Sequence, residues 1–238
     1  MKIEGRNSVF ELLKTDVDID KIMVENGLRD GESRKLLDYI RANKVRVQFV
    51  DRSVLDKESE RKKHQGFIAF TPDYKYSDLD TIIKNTENKD GFVVLLDEIL
   101  DPHNLGSIIR VCECAGVDGL IIPERRSAQV TDTVMRISEG GANHVKIARV
   151  TNLNKAIEEL KEHGYWVTGA ELGGDDLYKA DLKGKLALVI GGEDSGIKRL
   201  TKENCDRIVT IPMKGKVNSL NASVACGVVV FEALRQRS

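Results

Sequence analysis

Residues 92–123 read FVVLLDEILDPHNLGSIIRVCECAGVDGLIIP. Its two ends, FVVLL at 92–96 and GLIIP at 119–123, are apolar almost throughout and short. Such runs, without alternation, are the mark of strands covered on both faces. Between them, Asn104–Ala115 carries apolar residues at helical spacing, with Asn104 placed to cap the helix and Gly116 to close it. A strand, a helix and a strand in this order predict a parallel sheet and the α/β fold class.

The alternation continues downstream. A helix is expected around 132–138, a short strand at 144–148, and a helix over Asn154–His163 with Ala156, Ile157 and Leu160 on one face, closed by Gly164. Strands YWVTGA (165–170), LALVIGG (186–192) and RIVTIP (207–212) precede a final helix from about 221 to 236. Residues 91–238 are thus expected to be one parallel-sheet domain, with ligands held in loops at the carboxyl ends of its strands.

Upstream, residues 1–72 read as a smaller α/β unit. Its expected elements are a helix Ser8–Leu13 capped by Asn7, strands at 21–24, 45–50 and 66–70, and a helix Ser33–Ala42. The polar stretch 73–90 is expected to be a linker.

Composition narrows the function classes. Hydrophobic residues make up 41% of the 238 and charged residues 32%, which suits a globular chain and excludes wholesale disorder. The opening MKIEGRNSVFELLK reads as mature protein, and no apolar run approaches the roughly 18 residues of a spanning helix, so no membrane association and a cytoplasmic location are expected. Cys112, Cys114, Cys205 and Cys226 form no CxxC pair and the four histidines have no ligand spacing, so no metal is expected; Cys112 and Cys114 read as buried reduced thiols. Net charge is −1, so RNA contact must be local. Candidate basic sites are Arg61-Lys62-Lys63-His64, Arg125-Arg126, Lys146 with Arg149, and Lys214 with Lys216.

Three strand-end loops carry candidate chemistry. DEILDPHNLGSIIR (97–110) offers Asn104, Gly106 and Arg110. VIGGEDSGI (189–197) offers a double glycine and Glu193; Ile197 stands between Gly196 and Lys198, and Arg199 where a hydroxyl is needed, so it is no phosphate loop. No GxGxxG occurs, which argues against a dinucleotide site. The third loop, IPMKGKVNSLNASVA (211–225), enters the last helix through Ser219-Leu220-Asn221, where capping explains the polar residues but not Leu220.

In this order and spacing, DPHNLGSIIR, VIGGEDSGI and IPMKGKVNSLNASVA resemble the three signature motifs of the SpoU/TrmH family within the SPOUT methyltransferases, departing from them at Gly192 and Asp194. KIEGRNSVFELL and KKHQGFIAF (63–70 within it being HQGFIAF with its preceding lysine) are similar to the small ribosomal-protein-like α/β domain that binds RNA in that family. The resemblance implies a SPOUT parallel-sheet catalytic domain with a trefoil knot at the carboxyl end, a homodimer, S-adenosylmethionine as cofactor, and ribosomal RNA as partner. The branch it resembles most methylates a guanosine ribose in 23S RNA.

Residue by residue, the resemblance implies catalytic roles for Asn104, Arg110, Glu193, Ser219 and Asn221. It implies cofactor contacts around Thr168, Gly169, Ala170, Gly191, Ile211, Met213 and Leu220, and RNA contacts in the first domain from Arg6, Arg61, Lys62, Lys63 and His64. Because a guanidinium is a poor general base at neutral pH, Arg110 is expected to stay charged, bind the neighbouring phosphate and stabilise the developing oxyanion.

Overall fold

The computed structural model of the chain describes residues 2–14, 18–59, 62–193, 196–217 and 219–238. The chain divides into two compact units, one ending at Tyr74 and the other running from Lys75 to Ser238.

The first unit contains β1 (Lys2–Glu4), α1 (Arg6–Leu12), β2 (Lys21–Glu25), α2 (Gly31–Ala42), β3 (Val47–Val50), α3 (Arg52–Glu58) and β4 (Phe67–Phe70). The strands form one mixed sheet in the order β1-β4-β2-β3, with only β2 and β3 parallel. The period of two along a strand sorts its core. Ile22, Val24, Phe67 and Ala69 join Val9, Leu12, Leu36 and Ile40 in one cluster, while Met23 and Ile68 pack with Leu55 in another. Helix α1 starts after Gly5, whose φ of 99° suits glycine, rather than at an Asn7 cap. Helix α3 was hidden in a polar stretch, where Leu55 is its one buried residue.

The second unit contains α4 (Leu79–Lys84), β5 (Phe92–Asp97), α5 (Pro102–Cys114), β6 (Gly119–Pro123), α6 (Asp132–Ile137), β7 (Ile147–Val150), α7 (Leu153–Glu162), β8 (Trp166–Asp176), β9 (Leu186–Gly191), α8 (Arg199–Glu203), β10 (Arg207–Thr210) and α9 (Ala222–Arg237). All six strands are parallel, in the order β10-β8-β9-β5-β6-β7. Val93, Leu95, Val167, Ala187 and Val189 meet Ile157 and Leu160 of α7 on one face. The alternate residues Val94, Leu96, Leu188 and Ile190 are equally buried, and α9, in contact with β9 and α5, covers that side with Cys226, Val229, Val230 and Ala233.

The stretch expected as a linker is largely part of this unit. Ile82 and Ile83 of α4 are buried in the same cluster as Ile157, and Thr86 accepts a 2.6 Å hydrogen bond from the Tyr165 hydroxyl. Two isoleucines in an otherwise polar run were enough to dock a two-turn helix. Cys114 is exposed, against expectation, because the neighbouring turn position, Cys112, takes the buried face of α5.

Strand sequence runs away from β5 through β6 to β7, and the later strands lie on its other side. The place where direction changes is the gap between β5 and β9, and in open parallel sheets the crevice beyond the carboxyl ends at such a point receives ligands.

Candidate active site

The first two loops are brought together by strand pairing. Asp97 ends β5 opposite Gly191 at the end of β9, and its buried carboxylate accepts a 2.9 Å hydrogen bond from the Lys198 amide beyond the second loop. Glu98, with φ 59°, pairs with Lys198 at 2.5 Å. A side chain at Gly192 would put its Cβ 2.6 Å from the Glu98 carbonyl oxygen, so glycine is what lets the two loops touch there. A hollow of about 300 Å³ opens between them, lined by Glu98–Asp101, Asn104, Gly192 and Glu193.

Asn104 does not cap α5. Asp101 does, accepting from the His103 amide at 2.9 Å, with Pro102 in the first turn, where its missing N–H costs nothing. Asn104 is thereby freed, and its buried side chain points to the third loop. Asn221 Nδ2 donates to Asn104 Oδ1 at 2.9 Å and also to Glu193 Oε1. The same Asn221 caps α9, its Oδ1 accepting from the Ser223 amide at 3.0 Å, the Val224 amide at 3.3 Å and the Ser223 hydroxyl at 2.6 Å. One residue from each loop therefore meets in a single network. Ser219 is exposed beside it.

Arg110, two turns further along α5, is half exposed and donates to Glu139 at 2.8 Å. Nothing in the sequence paired these two; Glu139 follows α6, in a left-handed turn that pattern reading cannot locate.

The residues expected around the cofactor divide into two groups. Thr168 and Gly169 lie inside β8 between β9 and β10, with Thr168 fully buried, so they form no loop and support from behind. A Cβ on Gly169 would stand 2.7 Å from Ile208 Cδ1. Just beyond them the pairing with β10 breaks, although Ala170 still pairs with Ile190 of β9: Ile208 pairs with Gly169 but Val209 with Asp175, so on the β10 side residues 170–174 form an excursion. Thr210 pins it twice, its hydroxyl accepting from the Gly174 amide and donating to the Glu171 carbonyl, both at 2.7 Å. The expected strand ended at Ala170, and Gly173-Gly174 just past it was the one sign of this excursion. Ala170, Ile211 and Met213 are partly exposed and Leu172 and Leu220 exposed.

In the first unit, His64 is a correction. It is fully buried, its Nδ1 accepting from the Gly66 amide at 3.0 Å and its Nε2 hydrogen-bonded to Asp56 at 3.1 Å, so it fixes the turn into β4 and has no face for RNA. Lys62 and Lys63 are exposed, Arg6 donates to Asp30 at 2.9 Å, and Arg61 lies outside the described residues. In the second unit, Arg149 stacks on Tyr76, 4.7 Å from the ring centre, and Arg126 pairs with Glu98 at 4.0 Å, so neither stands as an isolated cation. Among the described residues no group of three or more His, Cys, Asp or Glu is arranged to hold a metal, and no helix is long and apolar enough to cross a membrane.

Residues 91–231 match the SpoU rRNA methylase family, and residues 2–77 match the RNA 2′-O ribose methyltransferase substrate-binding family. The chain belongs to the SpoU rRNA methylase family. It is 45% identical to a Staphylococcus haemolyticus protein named as a TrmH family tRNA/rRNA methyltransferase, over 99% of this chain and 95% of that one. The SpoU methyltransferase AviRb from Streptomyces viridochromogenes, solved in complex with AdoMet, superposes with a TM-score of 0.72 at 26% identity, covering 99% of this chain and 89% of the other. An AdoMet-bound rRNA methyltransferase from Sinorhizobium meliloti superposes with a TM-score of 0.70 at 25% identity, covering 98% and 86%. This SpoU chain is an RNA ribose 2′-O-methyltransferase dependent on S-adenosylmethionine.

The residues at the strand ends suit that cofactor. Uncovered apolar side chains at Leu172, Ile211, Met213 and Leu220 offer surfaces for a purine. A Cβ on Gly191 would fall 2.2 Å from the Gly196 carbonyl carbon, so main chain alone lines this part of the rim. The Glu171 carboxylate accepts from Lys202 at 3.2 Å through Oε1, and its buried Oε2 has no hydrogen-bond partner.

Proposed function

We propose that this chain methylates the ribose 2′-hydroxyl of a guanosine in 23S ribosomal RNA. The observation that carries the chemistry is the meeting of Asn104, Glu193 and Asn221 from three loops in one hydrogen-bond network beside α5, the helix of Arg110. Support for ribosomal RNA comes from the first unit, which matches a substrate-binding family, and from likeness along the whole chain to a solved rRNA methyltransferase.

The cofactor, when bound, supplies an electrophilic methyl group on a sulfonium. Asn104, Glu193, Ser219 and Asn221 hold the loops and orient the target ribose, fixing its oxygen for in-line attack. Arg110, as a charged fork, binds the phosphate next to that ribose and stabilises the negative charge that develops on the oxygen as its proton passes to solvent water. Ala170, Gly191, Ile211, Met213 and Leu220 contact the cofactor, with Thr168 and Gly169 supporting them.

Lys62, Lys63 and Arg6 hold RNA in the first domain, residues 1–72, while the catalytic domain presents the chemistry. On this reading the carboxyl end of the chain threads as a trefoil knot. Helix α9 is apolar on two sides: Val224 and Phe231, two turns apart, are 52% and 47% exposed opposite buried Val229 and Ala233. A second copy covers that face, making a homodimer that acts in the cytoplasm; Phe231→Asp is expected to give a monomer in sedimentation.

The test is transfer of labelled methyl from S-adenosylmethionine to protein-free 23S RNA, with the product nucleotide mapped by resistance to alkali. Label at one guanosine supports the reading. Label on transfer RNA alone overturns the substrate, and label on neither moves weight to an assembling ribosomal particle as the substrate or to an RNA-binding role.

A further inference from the structure

We propose that Glu139 is a resting counter-ion for Arg110, surrendering it to the RNA phosphate when substrate binds. The inference rests on the reading of Arg110 as the phosphate-binding group. The ion pair is 2.8 Å long, and both side chains are more than half exposed, so a phosphate can approach the guanidinium without prior unfolding.

The pair is built with some care. Glu139 has φ 49° and is followed by Gly140 at φ 87°, two left-handed residues that end the segment containing α6. Glycine or asparagine serves such a turn better than glutamate, so the carboxylate and not the backbone accounts for this residue. The turn is held on both sides. Ser138 Oγ donates to the Met135 carbonyl at 3.0 Å and accepts from the Ala142 amide at 3.4 Å. Below it, Gly106 lets α5 lie against Ile137 so closely that a Cβ would come within 2.7 Å of that side chain. Gly141 rests on the α5 backbone, its built Cβ position 3.5 Å from Arg110 Cα. Glu139 is thereby delivered to Arg110 by rigid main chain.

An exposed pair of this kind is weak enough to be exchanged, and a phosphate that accepts two guanidinium hydrogens outcompetes one carboxylate oxygen. The exchange leaves a trace in affinity: breaking the ion pair sets a cost against RNA binding, and a variant without the carboxylate does not meet it.

The test uses the full-length chain and protein-free 23S RNA. Glu139→Gln is expected to raise RNA affinity several-fold, with S-adenosylmethionine affinity unchanged. Glu139→Gly, which relieves the left-handed backbone, should do the same while melting higher, so misfolding cannot account for the gain. The affinity gain of both variants must vanish in an Arg110→Ala background. Unchanged affinity in Glu139→Gln overturns the proposal, as does an equal gain without Arg110, which would mark Glu139 as a general repellent of RNA. If Arg110→Ala alone leaves transfer and RNA affinity intact, the reading of Arg110 fails first, and this inference with it.

Discussion

Asn221 lies 117 positions after Asn104 and donates to it at 2.9 Å, while the other end of the same amide caps α9. Helix initiation and assembly of the three-loop site are therefore one event. The two tasks are separable by chemistry, because aspartate caps a helix as well as asparagine but has no hydrogens to give. Asn221→Asp should keep the cap but set its second oxygen against the Glu193 carboxylate, and should lose roughly 100-fold in methyl transfer, the scale expected of a small misplacement at a reacting centre. Asn221→Ala should lose both, with about 1 kcal/mol of stability gone with the cap. Parent-like transfer by Asn221→Asp would show that the bridge to Asn104 and Glu193 is dispensable.

Buried His64 calls for a result opposite to that of its lysine neighbours. Replacing it by alanine strips the Gly66 amide of its acceptor, at a cost of about 1–3 kcal/mol. Chemical unfolding should register that loss, whereas RNA affinity of the folded variant should be unchanged. Lys62→Ala and Lys63→Ala should weaken RNA binding without moving the unfolding midpoint.

The four thiols should differ sharply in reactivity. Burial pushes the Cys205 thiol up to about 12, and Cys112 is raised by its hydrogen bond with Cys226 and by burial. Cys226 is itself buried, and Cys114 is exposed. Native protein at pH 8 should thus show one fast equivalent with a thiol reagent, abolished by Cys114→Ser. A second fast thiol would contradict this assignment.

Glu232 gives the acid side of the stability profile a definite shape. Hydrogen bonds from Arg235 and Gln236 lower its carboxyl from 4.5 to about 2. Between those values the unfolded chain binds more protons than the folded one, so stability falls as pH falls. The contribution is complete above 4.5 and lost on the way down to about 2. Glu232→Gln should be less stable at neutral pH, and its curve should lie flatter across that window.

Much of this architecture was legible because its strands are apolar without interruption. FVVLL, GLIIP and LALVIGG left no choice but a sheet buried on both faces, and Gly116 and Gly164 marked the ends of their helices. What escaped were short helices with few buried residues: α3 docks through Leu55 alone and α4 through Ile82 and Ile83, too little for a periodicity to emerge. At the site, the motif residues Asn104, Glu193 and Asn221 could be named in advance, but not their mutual contact, since that depends on Asp101 having taken the capping position. His64 and Glu139 mark the same limit. Histidine beside lysines reads as part of a basic patch until its burial is known, and a glutamate after a short helix carries no sign of the arginine it faces.

The Ala170–Gly174 excursion separates two properties that an ordinary strand ties together. In an unbroken strand, adding or removing one residue turns every later side chain to the other face. Here the pairing with β10 stops at Gly169 and resumes at Asp175, with Thr210 of that strand clamping the closure. The length of this rim can consequently change while the sheet keeps its alignment, with no rebuilding of the core that supports it.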